Sequence, residues 1–218
     1  MTNFLPIVEK FHSLQGEGFH TGKSAYFIRL AGCEVGCSWC DTKHSWNSKN
    51  YPLFSINSLL IEVKKARLNG AAFLVLTGGE PLHHNLDEFC RIIKNETNNA
   101  KNESISIHIE TSGVSEFSGF YDWITLSPKR HKPPKEYFVE KCDELKIIIN
   151  DKKDVIFAQE ISEHLSNIKN DKNYNSEKKL FVQPAWNSNK GYKLAIEFAK
   201  SNPEWSLSLQ THKYLSIQ

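Results

Sequence analysis

Hydrophobic and polar positions along the chain follow two periods, one typical of strands and one typical of helices. Short apolar runs predict strands over residues 25–32, 71–78, 104–110, 122–127, 143–149, 179–184 and 205–210. Between some of them, apolar residues recur every three to four positions over 56–70, 85–94 and 154–169, which predicts helices. Strands that alternate with helices predict an α/β fold with a parallel sheet built from right-handed βαβ units.

Each predicted helix carries an apolar stripe that would face the sheet. The stripes are Ile56, Leu59, Leu60 and Val63; Leu86, Phe89, Cys90 and Ile93; and Ala158, Ile161, Leu165 and Ile168. Asn85, followed by Glu88 three residues later, is predicted to cap the second helix in a variant of the capping box. Two stretches rich in Asn, Lys, Ser and Glu, 94–104 and 167–179, are predicted to be loops.

Polar and glycine-rich residues follow five of the predicted strands. These loops are 78–81, 111–113, 127–129, 183–184 and 211–213. Any one of them is also compatible with an ordinary turn. Because the carboxyl ends of parallel strands meet at one edge of a sheet, where ligands bind, their shared position predicts a functional site.

Length and charge narrow the classes of protein. The 218 residues are 39% hydrophobic, which suits one domain over 1–218. The net charge of +2 provides no global field for binding nucleic acid or an anionic membrane surface. No segment reaches the roughly 18 apolar residues that span a bilayer, and we expect a cytoplasmic protein.

Three of the five cysteines, Cys33, Cys37 and Cys40, lie within eight residues. They are too close together to join distant segments as disulfides, and their spacing indicates a set of metal ligands. Structural zinc would need a fourth ligand, such as His44, Cys90 or Cys142. Three thiolates on a four-iron cubane would instead leave one iron open for a substrate or cofactor, and we favour this second interpretation.

The CxxxCxxC spacing after a strand, with a GGEP loop after a later one, resembles the radical S-adenosylmethionine superfamily. The order and spacing of LQGEG at 14–18, AGCEVGCSWCDTKHSW at 31–46, TGGEP, ETSG, SPK and SLQTHKYL resemble the 7-carboxy-7-deazaguanine synthase family. The resemblance implies a partial parallel β/α barrel with about six core strands, usually in a homodimer. It also implies a carbon–nitrogen lyase that converts 6-carboxy-5,6,7,8-tetrahydropterin to 7-carboxy-7-deazaguanine with loss of ammonia, on the route to queuosine.

The resemblance also implies roles for individual residues. Cys33, Cys37 and Cys40 would hold a 4Fe-4S cluster, and Thr42 would be a ligand of Mg²⁺. The residues implied for S-adenosylmethionine are Gly78, Gly79, Glu80, Gly113, Ser127, Pro128, Lys129 and Gln183. The residues implied for the pterin are Leu14, Gln15, Gly16, Glu17, Arg29, Thr111, His212 and Gln218. For Gln218 the contact would be its terminal carboxylate, although many members of the family end in proline.

Two charged side chains leave alternatives open. Arg29 lies among apolar neighbours of a predicted strand, so its guanidinium needs a carboxylate partner, either from the substrate or from an internal Asp or Glu. Asp41, between Cys40 and Thr42, is a second candidate ligand for Mg²⁺, or it pairs locally.

Two other classes of protein share part of this pattern. A non-catalytic metal-binding module would leave the GGEP, SPK and THKY loops without a role, and a glycyl-radical activating enzyme would leave LQGEG and Arg29 without one.

The basic run at 127–135 resembles a nucleic-acid patch but lacks interleaved aromatic residues, so no direct nucleic-acid partner is expected. The expected partners are the pterin and an electron donor such as flavodoxin.

Overall fold

The computed structural model describes residues 3–97, 104–169 and 178–218, and one nine-stranded sheet runs through them. The strands are β1 Phe4–Leu14, β2 Ser24–Leu30, β3 Leu53–Ser55, β4 Phe73–Gly78, β5 Ser106–Thr111, β6 Trp123–Leu126, β7 Glu144–Ile149, β8 Lys179–Pro184 and β9 Trp205–Leu207. Their order across the sheet is β3-β1-β2-β4-β5-β6-β7-β8-β9. β1 is antiparallel to both neighbours, whereas all pairs from β2 to β9 are parallel.

Helices connect most of the parallel strands. They are α1 Ile56–Leu68, α2 Asp87–Thr97, α3 Glu136–Lys141, α4 Lys152–Lys169, α5 Asn189–Ser201 and α6 Thr211–Leu215. The sheet remains open between β3 and β9, so the predicted partial α/β barrel is confirmed. Its parallel part has seven strands where about six were expected, and the outermost, β9, is only three residues long.

The two faces of the parallel strands contribute to two separate hydrophobic clusters. On β2, Ile28 and Leu30 are fully buried in the core cluster, whose members also include Leu59 of α1 and Phe89 of α2. Burying such a side chain contributes about 1.5–3 kcal/mol, and this layer holds the helices on the sheet. Arg29 alternates with Ile28 and Leu30, and it points to the opposite face of the sheet, as the period of two in a strand requires.

The predicted alternation of strands and helices is confirmed, but several elements were not predicted and one strand end was misplaced. No strand was predicted over 4–14, so the strand that carries Arg29 is the second strand and not the first. Helices α3, α5 and α6 were not predicted either. The last strand ends at Leu207, so the strand predicted over 205–210 is too long at its end, and Gln210 lines the cavity described below.

The predicted capping box at Asn85 is wrong. Helix α2 begins at Asp87, whose N–H donates to Asn85 Oδ1 at 3.0 Å, so the asparagine forms a turn before the helix. Glu88 accepts from Arg91 Nε at 2.8 Å instead of reaching back to Asn85. Contacts outside the helix set where it begins, because Leu86, the residue before it, is fully buried and its N–H donates to Ser118 Oγ at 3.1 Å.

Some predicted features fall outside the described part of the chain. The side chain of Ile168 and most of the two predicted loops lie there, although residues 94–97 are the last residues of α2 and not a loop. Within 3–97, 104–169 and 178–218, we find no helix with the length and apolar character to cross a membrane.

Candidate active site

A cavity opens at the carboxyl edge of the parallel strands, where the five loops converge. All but two of the residues to which the family resemblance assigns a role line it. They are Leu14, Gln15, Gly16, Glu17, Arg29, Cys33, Cys37, Cys40, Thr42, Gly78, Gly79, Glu80, Thr111, Ser127, Lys129, Gln183, His212 and Gln218. The exceptions are Gly113 and Pro128. Gly113 adopts φ +76°, and an added Cβ would lie 2.7 Å from Leu126 Cδ1, so its role is to form a tight turn.

The cysteine loop forms one wall of the cavity, which we call the cysteine wall (Cys33, Cys37 and Cys40). Backbone hydrogen bonds fix the start of the loop: Gly32 donates to Ser45 O at 2.7 Å and Cys33 to Trp46 O at 3.1 Å. Cys37 is buried and the other two are half-buried, and burial raises the pKa of both Cys33 and Cys37. All three thiols are free, so they are available to a metal.

The cysteine wall is compatible with the cluster that the CxxxCxxC spacing indicates. Within the described ranges, no three side chains of His, Cys, Asp or Glu lie close enough together to share one metal ion. Thiolates around a four-iron cubane bind separate irons and stand farther apart than the ligands of one ion. Cys90 and Cys142 are fully buried in the hydrophobic core, where burial raises the pKa of each thiol to about 11.

Gly78 and Gly79 bring the loop after β4 against the cysteine loop. An added Cβ at Gly78 would collide with the carbonyl oxygen of Leu30, and one at Gly79 would lie 2.5 Å from Gly32 O. The N–H of Glu80 donates to the same Gly32 oxygen at 2.9 Å. The two glycines therefore permit a close approach between two segments of this chain, which fixes the position of the cysteine wall.

Glu80 connects the loops after β4 and β5. Its buried carboxylate accepts from Thr111 Oγ1 at 2.6 Å, from Ser112 N at 2.8 Å, from Leu82 N at 3.2 Å and from Ser112 Oγ. Four donors of the chain itself thus occupy the roughly four acceptor positions of a carboxylate. Thr111 is held in turn, because its Oγ1 accepts from Gly113 N at 3.0 Å.

The base of the cavity is a connected group of polar side chains, which we call the polar floor (Gln15, Glu17, Thr77, Glu110, Lys146 and Gln210). Gln15 Nε2 and Thr77 Oγ1 each donate to Glu110 at 3.0 Å. Lys146 Nζ and Gln210 Nε2 both donate to Glu17, the second at 2.9 Å. Burial raises the pKa of Glu17, but the charge and hydrogen bond of Lys146 outweigh it and lower that pKa to about 2.

Four members of the polar floor were missed by the sequence analysis: Thr77, Glu110, Lys146 and Gln210. A signal existed for Lys146, which is the one cation of the largely apolar strand ELKIII, as Arg29 is the one cation of its own strand. Glu110 and Gln210 each come directly before a loop that was singled out. Thr77, Glu110 and Gln210 therefore lie within the TGGEP, ETSG and SLQTHKYL motifs but were given no role of their own, whereas Lys146 lies outside every motif.

Arg29 has an internal partner. Its Nε donates to Glu9 Oε1 on the neighbouring strand β1 at 2.6 Å, and the two side chains are 20% and 35% exposed. The internal carboxylate that the sequence left open is therefore present. Arg29 also lines the cavity, so this pairing at Nε does not remove it from the site.

Side chains from the C-terminal segment also line the cavity. Lys213 pairs with Asp41, and its ammonium lies 4.9 Å from the centroid of the Trp186 ring. Asp41 thus pairs locally, whereas Thr42 Oγ1 lies 3.5 Å from Cys40 Sγ. Desolvation lowers the pKa of His212, whose ring packs so closely on Gly16 that an added Cβ there would collide with it.

Two further contacts complete the site. Ser13 Oγ donates to the main-chain oxygen of Gln218 at 2.5 Å, which holds that residue against β1. Lys129 Nζ donates to Ser127 Oγ at 2.7 Å, and desolvation lowers the pKa of Lys129.

Comparison with known proteins agrees with this geometry. The model of the Radical SAM superfamily matches residues 27–124. The chain is 51% identical to a 7-carboxy-7-deazaguanine synthase of Prochlorococcus marinus, with 100% of both chains covered. It is 40% identical to the enzyme of the same name from Flavobacterium psychrophilum, covering 98% of this chain and 92% of that one. The crystal structure of QueE from Escherichia coli superposes with a TM-score of 0.76 at 31% identity, covering 96% of this chain and 95% of that one.

Proposed function

This chain belongs to the 7-carboxy-7-deazaguanine synthase family of radical S-adenosylmethionine enzymes, and from that premise we propose the reaction that it catalyses and how its residues divide the work. The proposed reaction converts 6-carboxy-5,6,7,8-tetrahydropterin to 7-carboxy-7-deazaguanine and ammonia, in queuosine biosynthesis. One observation carries the proposal. The cysteine wall and the polar floor face the same cavity, so a reactive species formed at the wall meets a substrate held on the floor.

The cysteine wall and the neighbouring loops are proposed to bind the cluster and its cofactor. When bound, the cluster and S-adenosylmethionine would supply radical chemistry directed at the C6–H bond of the pterin. Cys33, Cys37 and Cys40 hold the cluster, and the loops at 78–80, 127–129 and 183 hold the cofactor. Trp39, Trp46 and Val35 line the same region and exclude water from it.

The polar floor is proposed to bind the pterin ring. Glu110 and Glu17 are fixed carboxylate acceptors, which suit the N–H groups of an aminopyrimidinone. Gln15, Thr111 and His212 complete the set of partners for the ring and its substituents. Each carboxylate already accepts a hydrogen bond from the chain before the substrate binds, so its side chain loses little conformational freedom on binding.

Arg29 is proposed to bind the substrate carboxylate with the side of its guanidinium that Glu9 leaves available. Arginine offers five donors, and the bond to Glu9 uses the one at Nε. Charge-assisted bonds of this kind contribute about 1.5–3 kcal/mol, enough to select an acid over its amide.

The remaining proposals concern the metal ion and the cellular setting. Mg²⁺ would bind Thr42 Oγ1 together with substrate oxygens and water, because one hydroxyl makes a weak site alone. We further propose that the protein is a single-domain cytoplasmic homodimer that receives electrons from a flavodoxin.

An anaerobic assay of the reconstituted protein tests the reaction. Carboxytetrahydropterin carrying deuterium at C6 is supplied with S-adenosylmethionine, Mg²⁺ and a reductant. The expected products are 7-carboxy-7-deazaguanine and ammonia, with deuterium in the recovered S-adenosylmethionine because the cofactor is re-formed in each cycle. One equivalent of free 5′-deoxyadenosine per turnover, with no label in the cofactor, would contradict the proposal and indicate an activating enzyme or another radical reaction.

A further inference from the structure

The loop that carries Gln15 and Glu17 of the polar floor starts at the far edge of the sheet from the cavity mouth. Residues 15–23 connect the antiparallel strands β1 and β2, and Leu14 pairs with Ser24 at the base of this connection. Because β2 begins at Ser24, the base lies at the amino edge of the parallel strands. Gln15 and Glu17 nevertheless line the cavity, so the loop reaches the polar floor from the amino edge. We call residues 15–23 the base loop.

The base loop places a histidine ring among aromatic rings of three strands. The ring of His20 lies 5.3 Å from that of Phe73 on β4, 4.7 Å from that of His108 on β5 and 4.5 Å from that of Trp123 on β6. Phe73 and His108 themselves stack at 4.1 Å. We call this cluster the aromatic base (His20, Phe73, His108 and Trp123). One side chain of the base loop thus contacts three neighbouring strands.

The aromatic base is the layer next to the polar floor. Side chains two positions apart in a strand face the same way. His108 precedes Glu110 by two residues, and Phe73 precedes Thr77 by four, so each pair lies on one face of its strand. Glu110 and Thr77 both belong to the polar floor. A change in the packing of the aromatic base therefore acts on the layer that is proposed to bind the pterin.

His20 is buried in this layer without a polar contact. Both of its ring nitrogens are inaccessible to solvent, and neither has a hydrogen-bond partner among the residues that the structure describes. Burial of a polar group without a hydrogen bond is unfavourable, and phenylalanine would fill the same place without that cost. The imidazole therefore contributes its ring shape to the packing, and in addition it can take up a proton.

The backbone between Glu17 and His20 is held tightly. Phe19 N donates to Glu144 Oε2 at 3.1 Å. Gly18 adopts φ +65°, and an added Cβ there would collide with the same carboxylate. The chain has no room to absorb a displacement between these positions, so a shift of His20 is passed on to Glu17.

From these observations we propose that His20 is a positioning residue for the pterin site: its neutral ring anchors the base loop in the aromatic base and thereby places Gln15 and Glu17, and protonation of the ring releases the anchor. The effect on the pterin rests on the function proposed above, whereas the anchoring of the loop does not.

The surroundings of His20 favour its neutral form. Desolvation lowers its pKa, and the charge of Lys23 on the same loop lowers it further. The other charged or titratable groups near the aromatic base are His108 of β5, Asp122 before β6 with its partner Lys94, Glu144 of β7 and Lys179 of β8. Burial lowers the pKa of His108 to about 3, so this second ring stays neutral when His20 takes up a proton. Because the pKa of His20 in the folded protein lies below its ordinary value of 6.5, the anchor is fully present above pH 6.5 and is lost as the pH falls below it.

The test compares two substitutions of His20. His20→Ala removes the ring, whereas His20→Phe keeps a ring that cannot be protonated. His164→Ala is the matched control, because it removes an exposed histidine of α4. Hydrogen exchange of residues 15–23 is measured on the cluster-free protein, and the affinities for the carboxypterin and for S-adenosylmethionine are measured by calorimetry on the reconstituted protein. Both measurements are made for every variant at several values between about pH 8 and pH 5.5, which bracket the ordinary pKa of histidine.

At pH 8 we expect His20→Ala to raise the exchange rate of the base loop and to weaken carboxypterin binding, each by about tenfold, with S-adenosylmethionine affinity and iron content unchanged. His20→Phe and His164→Ala should match wild type there. As the pH falls, wild type should approach His20→Ala in both measurements while His20→Phe keeps its protection and affinity.

Wild-type exchange and affinity in His20→Ala would overturn the proposal, as would equal losses of carboxypterin and S-adenosylmethionine affinity, which indicate a general loss of structure. The same pH response in wild type and His20→Phe would refute the role of the proton. A base loop that is released in His20→Ala, in a wild type that binds no carboxypterin, would instead contradict the proposed reaction and leave the anchor supported.

Discussion

Glu17 and Lys146 form an ion pair at the base of the cavity, although 129 residues separate them in the chain. The side chains are 17% and 5% exposed, so neither charge is well solvated. Lys146→Met would leave the Glu17 carboxylate buried without its counter-charge, which costs about 3 kcal/mol. Urea unfolding of the cluster-free protein measures this loss. The double variant with Glu17→Gln should lose less than Lys146→Met alone, and a cost no greater than that of Lys65→Met would contradict the pairing.

The same pair predicts a pH dependence of stability. Lys146 lowers the pKa of Glu17 from 4.5 to about 2 against the opposing effect of burial, so the native state favours the ionised form. The stabilisation is fully present above pH 4.5 and disappears as the pH falls towards 2. It amounts to at most about 3 kcal/mol. The difference in unfolding free energy between wild type and Glu17→Gln should therefore shrink between pH 5 and pH 3, and a constant difference would refute the assignment.

Arg29 and Lys146 show how far the sequence specifies the site. A cation among the apolar residues of a strand indicates that the side chain is buried and needs a partner, and both residues carry that signal. The partner could not be predicted, because Glu9 and Glu17 lie on or after a strand that the sequence did not reveal. Strand β1 contains Pro6 and shifts register between Ile7 and Glu9, so its pattern departs from simple alternation.

The loops at the strand ends could be predicted from the sequence, whereas the ion-pair partners could not. Their position follows from the order of elements alone, since successive parallel strands deliver their carboxyl ends to one edge. Side-chain pairing within that edge depends on the approach of separate elements. The sequence therefore identified Glu80 and Asp41 as candidate residues, but not the hydrogen bonds that Glu80 accepts from Thr111, Ser112 and Leu82 or the ion pair between Asp41 and Lys213.

Substitutions of Arg29 and Glu9 separate the two roles of the arginine. Arg29→Lys keeps the charge and loses the planar fork, so the affinity for the carboxypterin should fall about tenfold or more while that for S-adenosylmethionine is unchanged. Glu9→Gln keeps the fork and should cost about threefold at most. Isothermal titration calorimetry on the reconstituted protein gives both affinities. Equal losses in the two variants would mean that the salt bridge, rather than a contact with substrate, explains the effect.

Substitutions of the cysteines test the cysteine wall. Cys33→Ala, Cys37→Ala and Cys40→Ala should each abolish the iron–sulfur absorbance of protein reconstituted without oxygen. Cys90→Ala and Cys142→Ala are the matched controls, because their thiols lie in the hydrophobic core and stay protonated. Full iron content and activity in any one of the first three variants would exclude that residue as a ligand.

Thr42, Asp41 and Lys213 together predict how the protein responds to Mg²⁺. Lys213 holds the carboxylate of Asp41, which leaves the hydroxyl of Thr42 as the side-chain oxygen beside the cysteine wall. Thr42→Ala should therefore weaken the activation by Mg²⁺ without removing it, since substrate oxygens and water still bind the ion.

Lys213→Met should release Asp41 and lower the concentration of Mg²⁺ that gives half-maximal rate, because a free carboxylate is a stronger ligand than a hydroxyl. Asp41→Asn in the Lys213→Met background serves as the control and should reverse that gain. Initial rates across a Mg²⁺ titration distinguish these cases, and an unchanged response in Thr42→Ala would remove the threonine from the proposed magnesium site.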